Sequence, residues 1–335
     1  MKSTKIIGLA IFCGCFIAGG LGLYFYRYAV SPIQTSETSA VVWIRSGQSF
    51  SGTVAQLQER GLVRRPQKFR WLAWLRGDER HIRAGEYVLR PSMSPNDILD
   101  TLVSGEVLLH KVVIPEGSTL FHIGRILERT GLMSQEAFLD AAEAPRLVDG
   151  LGLKGNALEG YLFPETYHFP MGVTPREVVD KMVDHFRSVF TPTWIERAEA
   201  IGLTTHEVVT LASIVEKETA APEERPLIAA VFLNRLKRGM RLESDPTVIY
   251  GMTDFDGNLT RKDLKNPTPY NTYQIKGLPP GPIANPGRAS MAAVLYPSEE
   301  PFLLYFVSKN NGSHHFSRTL SEHNQMVRQY QLRVP

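Results

Sequence analysis

Two glutamates near the end of one predicted helix are the strongest candidates for chemistry in this sequence. Thr204 and Glu207 fit a capping box, S/T-x-x-E, and predict a helix that continues to about Thr219. Glu216 and Glu218 lie in its last turns. The carbonyl end of a helix disfavours negative charge. A partly buried carboxyl group there therefore has a raised pKa, as a general acid at neutral pH requires.

The apolar positions of this helix distinguish the two acids. They form a stripe at helical spacing: Val208, Leu211, Ala212 and Val215. Lys217 points away from the stripe, and both acids flank it. Glu218 lies one turn from Ile214, whereas Glu216 has smaller and wetter surroundings. The pattern favours Glu218 as the acid, although two solvated helix-end acids, with Lys217 and Arg225 nearby, are the simpler interpretation.

Other polar residues fit weaker hypotheses. Asp245 precedes a proline and is expected to turn the chain by accepting local backbone hydrogen bonds, or to act as an electrostatic partner of a glutamate. Three histidines lack the i,i+4 pairing of a zinc helix, which predicts surface side chains: His314, His315 and His323. Three tyrosines in a proline-rich region fit either packing or a surface for sugar rings: Tyr250, Tyr270 and Tyr273.

Composition excludes several function classes. The 335 residues carry 37 Lys and Arg against 34 Asp and Glu, a net charge of +3 that gives no case for nucleic-acid binding. Cys13 and Cys15 are the only cysteines, so the chain after them has no disulfide or thiolate metal site. No motif for nucleotide binding or a serine esterase occurs, and no cofactor or metal is expected.

The amino-terminal region predicts a membrane anchor. Residues 6–26 carry no charge and reach across a bilayer of about 30 Å, and Lys2 and Lys5 precede them. The positive-inside rule places residues 1–5 in the cytoplasm and the rest outside. A cleaved signal peptide is the alternative, but its apolar part is usually shorter. Residues 27–40 fit a tether.

A gapless internal repeat follows the tether. Residues 44–63 align with residues 114–133, and each copy predicts a strand, a glycine turn, a helix and a glycine stop. The first copy continues to a strand at Gly85–Leu89 and a helix from about Ser94 to Gly105. The simpler explanation of the repeat is that two small α+β units close a core in the same way. The more specific hypothesis is that these units bind a polymer.

The carboxyl-terminal half predicts helices and one long loop region. Helices are expected at 175–190 and 223–238, and a strand at 302–307 followed by a short helix. Residues 241–290 contain seven prolines and no long helical period, which is typical of a functional loop region. An exported chain with one well-placed acid, aromatic loops and no cofactor motif suggests cleavage of a glycosidic bond. A hydrolase normally uses two carboxylates for this, and a lytic enzyme needs one.

Five motifs together resemble the YceG-like family of endolytic murein transglycosylases. They occur in the family's order and spacing from the anchor onward: Glu159-Gly-Tyr-Leu-Phe-Pro-Glu-Thr-Tyr167, Leu211-Ala-Ser-Ile-Val-Glu-Lys-Glu-Thr219, Ser244-Asp-Pro-Thr-Val-Ile-Tyr-Gly251, Tyr270-Asn-Thr-Tyr273 and Gly277-Leu-Pro-Pro-Gly-Pro-Ile-Ala-Asn-Pro-Gly287. Glu165 stands where an aspartate is also common, a mild departure.

The resemblance implies an enzyme of the bacterial inner membrane that acts on the periplasmic side. It would cleave MurNAc-GlcNAc bonds within nascent peptidoglycan strands, leave 1,6-anhydro-MurNAc ends and so terminate glycan elongation. The second acid of the family's E-K-E segment, the catalytic one, falls on Glu218. Asp245, Asn271, Tyr273 and Glu159 are expected to bind substrate, from their positions in family motifs. Peptidoglycan is the implied partner, with glycan-polymerising synthases nearby.

The resemblance also implies the fold. We expect an α+β chain with one transmembrane helix, a LysM-like module at 41–107, a second α+β unit at 108–190 and an α+β catalytic domain at 191–335 with the proline-rich loops. A membrane-anchored, non-catalytic peptidoglycan-binding scaffold fits the repeat and the aromatic residues equally well. Aminodeoxychorismate lyase, an older label of the family, would need a Schiff-base lysine in a soluble cytoplasmic chain, which the predicted anchor contradicts.

Overall fold

The computed structural model describes residues 2–35, 37–143, 158–219, 221–300 and 302–332, without the side chains of residues 2–11, 13 and 14. The fold is mixed α+β and mostly helical, with small two-stranded sheets, so the predicted class is confirmed. The chain divides into two compact units. The first contains residues 1–110 and 168–173, and the second contains residues 111–167 and 174–335.

The first unit is built on a βααβ module. Its elements are α1 (Lys2–Val30), β1 (Ala40–Ile44), α2 (Phe50–Glu59), α3 (Pro66–Arg76), β2 (Gly85–Leu89) and α4 (Pro95–Ser104). Strands β1 and β2 pair antiparallel, with Ala40 opposite Leu89 and Ile44 opposite Gly85. Their inward side chains pack against the buried faces of the helices in one apolar core. The predicted strand at 85–89 and the helix that ends before Gly105 are confirmed.

The end of α1 is part of this unit. Ala29 is buried in its core, and the hydroxyl of Tyr28 donates to the carbonyl of Arg65 over 3.2 Å. The predicted anchor, residues 6–26, lies within α1, and part of it falls outside the described side chains. In the portion of the chain that is described, no helix has both the length and the hydropathy needed to cross a membrane.

The internal repeat is confirmed in three dimensions. The second copy contains β3 (Leu109–Val113), α5 (Leu120–Arg129), α6 (Gln135–Ala142) and β4 (Thr166–Pro170), which repeats the order of β1, α2, α3 and β2. Strands β3 and β4 form a two-stranded sheet, and the division between the two units falls within them. Gly47 and Gly117 have φ of 77° and 72°, which explains why both copies need glycine at the turn.

The second unit surrounds one buried helix. Its remaining elements are α7 (Pro175–Val189), α8 (Pro192–Ala200), α9 (Thr205–Glu218), α10 (Arg225–Lys237), α11 (Asp245–Tyr250), α12 (Arg288–Leu295), β5 (Tyr305–Ser308), β6 (His314–Ser317) and α13 (Leu320–Tyr330). All eight residues from Val208 to Val215 in α9 are buried, because α8, α10, α11 and α12 pack around it. The burial is therefore wider than the predicted apolar stripe, because this part of the helix is buried on every side.

Most predicted elements of this unit occur with small shifts. The helix expected at 223–238 begins at Arg225, because residues 222–224 form a separate 3₁₀ turn. The strand expected at 302–307 is β5, which pairs antiparallel with β6, a strand that the sequence pattern did not predict. Position 190 was the expected boundary between the second α+β unit and the catalytic domain. The residues on both sides of it belong to the same compact unit.

Candidate active site

Helix α9 holds Glu218 at its carboxyl-terminal end. The hydroxyl of Thr204 accepts from the backbone N–H of Glu207 at 3.2 Å, and the Glu207 carboxylate accepts from the Thr204 N–H at 2.8 Å. This reciprocal capping box confirms the predicted start of the helix. The helix ends at Glu218, and Thr219 is already extended. A rigid, buried helix therefore carries the candidate acid on its last residue.

The carboxyl group of Glu218 lies at a cavity of about 450 Å³. Burial raises its pKa to about 7. The negative charge of Asp245 adds to this rise, whereas the hydrogen bond from Ser244 and the positive charge of Arg235 oppose it. The predicted direction of the shift is confirmed. A large fraction of Glu218 is thus protonated at neutral pH and can donate a proton.

Ser244 reaches Glu218 from the start of α11. Its hydroxyl donates a short hydrogen bond to Oε1 of Glu218. Its backbone N–H donates to Oγ1 of Thr272 at 3.0 Å, and its carbonyl accepts from the Thr247 hydroxyl at 2.7 Å. The preceding residue, Glu243, has φ of 54°, a strained value for a side chain of that size. The surrounding hydroxyl network holds Ser244 in place against Glu218.

Asp245 and Tyr273 lie beside Glu218 at the same cavity. The Tyr273 hydroxyl donates to Oδ1 of Asp245 at 2.7 Å. Burial and the negative charge of Asp245 raise the pKa of Tyr273, so its phenol stays protonated and keeps donating. Asp245 thus accepts a hydrogen bond from a residue 28 positions away in the sequence. Its charge also raises the pKa of Glu218, which agrees with its predicted role as an electrostatic partner of a glutamate.

Four further charged or titratable side chains at the cavity were not predicted from the sequence: Arg235, Glu243, His314 and His323. Arg235 is buried, and its guanidinium donates to the carbonyls of Leu242 at 2.9 Å and Leu304 at 2.7 Å. His314 and His323 also line the cavity.

The prediction that these two histidines are surface side chains was wrong. His314 is 15% exposed, and its Nδ1 lies 2.6 Å from Oε2 of Glu224. The ring of His323 is stacked with that of Tyr305. Both histidines follow α9 by about a hundred residues, and only the folding of β6 and α13 brings them to the cavity. No spacing in the sequence signals this.

Glu216 has a different environment from the one predicted. Its side chain is only 6% exposed, where the wheel predicted wetter surroundings. The carboxylate lies 3.3 Å from Nη2 of Arg225 and accepts from the backbone N–H of Gly287 at 2.9 Å. A helical wheel of α9 does not include α10 or the loop before α12, which supply these two partners. Glu216 therefore joins three segments and does not line the cavity.

Glu159 and Asn271 lie outside the cavity lining. Glu159 is buried and accepts from the N–H of Leu120 at 3.2 Å, from the amide of Asn285 at 2.9 Å and from the hydroxyl of Tyr250 at 3.3 Å. Burial raises its pKa to about 7.

Asn271 is fully buried and is bonded to the loop around it. Its Nδ2 donates to the carbonyl of Asn266 at 2.7 Å, and its Oδ1 accepts from the N–H of Tyr273 at 2.9 Å. The contacts of both Glu159 and Asn271 are thus with the protein itself. Among the five predicted site residues, the structure brings together Glu218, Asp245 and Tyr273. Within the described residues, no group of three His, Cys, Asp or Glu side chains is placed to hold a metal ion.

Comparison with known proteins gives consistent matches over nearly the whole chain. Residues 42–329 match the model of the YceG-like family. An endolytic murein transglycosylase of Bacillus subtilis is 32% identical over 94% of this chain and 91% of its own length. One from Streptococcus pneumoniae is 29% identical over 97% of this chain, which spans 65% of that longer protein.

A solved structure agrees with these matches. The 2.6 Å crystal structure of a yceG-like protein from Listeria monocytogenes superposes with a TM-score of 0.59 at 33% identity, over 87% of this chain and all of that one. The sequence motifs, the family match and the shared fold agree, and the chain therefore belongs to the YceG-like family.

Proposed function

We propose that this chain is an endolytic lytic transglycosylase that cleaves MurNAc-β-1,4-GlcNAc bonds within peptidoglycan strands, with Glu218 as its acid and base. The observation that carries the proposal is the Glu218 carboxyl group, which opens on a cavity and has a pKa of about 7. The names of the Bacillus and Streptococcus relatives support the same substrate and the same reaction.

In the first step, protonated Glu218 gives its proton to the glycosidic oxygen while the bond from that oxygen to C1 of MurNAc breaks. The hydrogen bond from Ser244 occupies Oε1, which leaves Oε2 to carry the proton. Positive charge develops at C1 and the ring oxygen. The Asp245 carboxylate, held by Tyr273 beside Glu218, stabilises this charge electrostatically.

In the second step, the C6 hydroxyl of the same MurNAc attacks C1. Its proton passes to the Glu218 carboxylate, and the 1,6-anhydro ring closes. Glu218 is then protonated again and ready for the next bond, and no water is consumed. One carboxyl group thus serves as acid and then as base, and it needs a pKa close to the working pH in both steps.

We also propose that residues 6–26 anchor the chain in the inner membrane, with the folded units on the periplasmic side. The uncharged segment and the lysines before it support this orientation. Cleavage close to the membrane would act on strands as glycan-polymerising synthases make them, and it would terminate their elongation.

The decisive experiment compares the full-length chain in detergent with Glu218→Gln on uncrosslinked glycan strands, followed by mass spectrometry. We expect shorter fragments with 1,6-anhydro ends from the wild type. Removal of a general acid and base lowers rates by about 10²- to 10⁴-fold, so the variant should give almost none. Glu223→Gln is the matched control, because Glu223 is exposed and does not line the cavity.

The alternatives give different products. Fragments with reducing ends would show hydrolysis and would contradict the lytic mechanism. Intact strands that sediment with both the wild type and Glu218→Gln would identify a non-catalytic scaffold. Unfolding curves of both variants, followed by circular dichroism, show whether a loss of activity is caused by a loss of chemistry or by a loss of fold.

A further inference from the structure

Helix α3 is apolar on two opposite faces. One face packs into the core of the first unit through the buried residues Phe69, Leu72 and Ala73. The other exposes Trp71, Trp74 and Leu75, whose exposed fractions are 67%, 66% and 63%. These three residues lie at i, i+3 and i+4, so they share one face of the helix. Large aromatic side chains exposed as a group mark an interaction surface more often than a solvated one.

This exposed face begins at the end of α1. The ammonium group of Lys68 lies 3.5 Å from the ring centre of Tyr24, and Nη1 of Arg65 donates to the Tyr24 hydroxyl. Lys68 is one turn before Trp71 on α3. At 1.5 Å per residue, the row from Lys68 to Leu75 extends about 10 Å from this contact.

The residues of α1 at this contact are those of a membrane boundary. Tyr24 and Tyr26 lie at the end of the uncharged segment, and Arg27 and Tyr28 follow directly. Tyrosine and tryptophan concentrate where a membrane meets water. If residues 6–26 span the bilayer, as proposed above, the boundary lies at these tyrosines, and α3 is packed directly against it.

The charge around this face fits an anionic surface. Residues 64–76 contain five basic side chains and no acidic one: Arg64, Arg65, Lys68, Arg70 and Arg76. Arg76 among them is paired with Asp78 and Asp100. Arg64 and Arg70 are exposed. Tryptophans flanked by basic residues on one helix are typical of a segment that lies in the headgroup layer of a membrane. Glu79 lies at the edge of the patch.

We propose that the outward face of α3, formed by Trp71, Trp74 and Leu75 with their basic neighbours, inserts into the outer headgroup layer of the membrane that anchors the chain. The proposal rests on the proposed anchor but not on the catalytic activity. The α3 face then forms a second membrane contact beside α1, so the βααβ module is held against the lipid surface and does not swing on a tether.

The test uses the full-length chain reconstituted in nanodiscs that contain anionic lipids with brominated acyl chains, which quench tryptophan fluorescence on contact. The chain has four tryptophans. We expect strong quenching in the wild type. In Trp71→Ser/Trp74→Ser the quenched signal should fall at least about twofold, because these are two of the four rings and both would lie in the lipid. Quenching should also decrease in zwitterionic lipid.

Trp43→Ser is the matched control. Trp43 is in the same unit and is 38% exposed, but it lies on β1 beside Arg45, outside the α3 face. This variant should keep the quenched signal. Equal quenching in the wild type and the double variant would overturn the proposal. It would also be overturned if brominated lipid left Trp71 and Trp74 unquenched while soluble glycan strands shifted their emission, because the face would then bind sugar.

Two further measurements separate this proposal from the others. Glycan cleavage in detergent, where no bilayer is present, should be the same for the double variant and the wild type. Retention of the chain in membranes after a high-salt wash tests the anchor alone. A chain that cleaves glycan but leaves its tryptophans unquenched would refute the docking face and leave the proposed activity intact.

Discussion

At the scale of single residues, Ser244 and Asp245 act on the same carboxyl group in opposite directions. The Ser244 hydrogen bond lowers the pKa of Glu218, and the Asp245 charge raises it. Both residues lie at the start of α11, so one short helix supplies both effects on the pKa of Glu218. Burial decides the net result, a pKa of about 7.

This arrangement predicts opposite shifts in the pH profile. The first step needs protonated Glu218, so kcat/KM should fall as pH rises through about 7. Ser244→Ala removes the interaction that lowers the pKa and should move this fall to higher pH. Asp245→Asn removes the charge that raises the pKa and should move it to lower pH. The measurement is kcat/KM against pH on uncrosslinked strands, and shifts in the same direction would contradict the assignment.

At the scale of elements, α9 combines a well-defined start with burial on all sides. The capping box fixes its first turn, and neighbouring helices enclose its centre. A backbone contact also reaches it from the proline-rich loops, where the N–H of Ile283 donates to the hydroxyl of Ser213 at 3.0 Å. These contacts explain how a long loop region is held against a rigid helix.

Two threonine caps allow a matched test of this element. Thr204 caps α9 through its hydroxyl, whereas Thr191 precedes α8 and makes no side-chain cap bond. Thr204→Ala should lower the free energy of unfolding by about 1 kcal/mol, and Thr191→Ala should lower it much less. Urea unfolding of the two variants beside the wild type measures the difference. Equal losses of unfolding free energy would show that the capping hydrogen bond of Thr204 does not stabilise the fold.

At the scale of the whole molecule, two buried carboxyl groups make the second unit sensitive to pH. Burial raises the pKa of Glu159 and of Glu218 to about 7, from a reference value of 4.5. The folded state binds protons more tightly than the unfolded state at both groups. Each group therefore destabilises the fold increasingly as pH rises from about 4.5 to about 7, and the penalty is complete above that range.

Neutral replacement should remove this penalty at one site. Glu218→Gln should unfold at a higher temperature than the wild type at pH 8, and the gain should disappear below about pH 4.5, where the wild-type carboxyl becomes protonated in both states. Thermal unfolding followed by circular dichroism across this range measures the gain. A gain that does not change with pH would show that the Glu218 carboxyl is not desolvated as the structure indicates.

The local features of the molecule could be predicted from the sequence. Capping boxes, glycine turns and apolar spacing are local signals, and they predicted α4, α7, α9, the strand at Gly85–Leu89 and the repeat of a strand, a glycine turn and a helix. The resemblance to the YceG-like family decided between the two acids for Glu218 and gave Asp245 and Tyr273 an expected role in binding; the structure places these three residues at one cavity.

The surroundings of these residues depend on contacts that form only in the folded chain. Arg235, His314 and His323 reach the cavity from separate segments, and Ser244 reaches Glu218 from the start of α11. Strand β6 pairs with β5 without a recognisable pattern of its own. The two acids of α9 show the reason most directly. A wheel distinguishes them only by their neighbours on the same helix. In the fold, Arg225 and Gly287 enclose Glu216, whereas Glu218 accepts from Ser244 and lies at the cavity. The pKa of a buried group depends on partners that are distant in sequence, and folding alone brings them together.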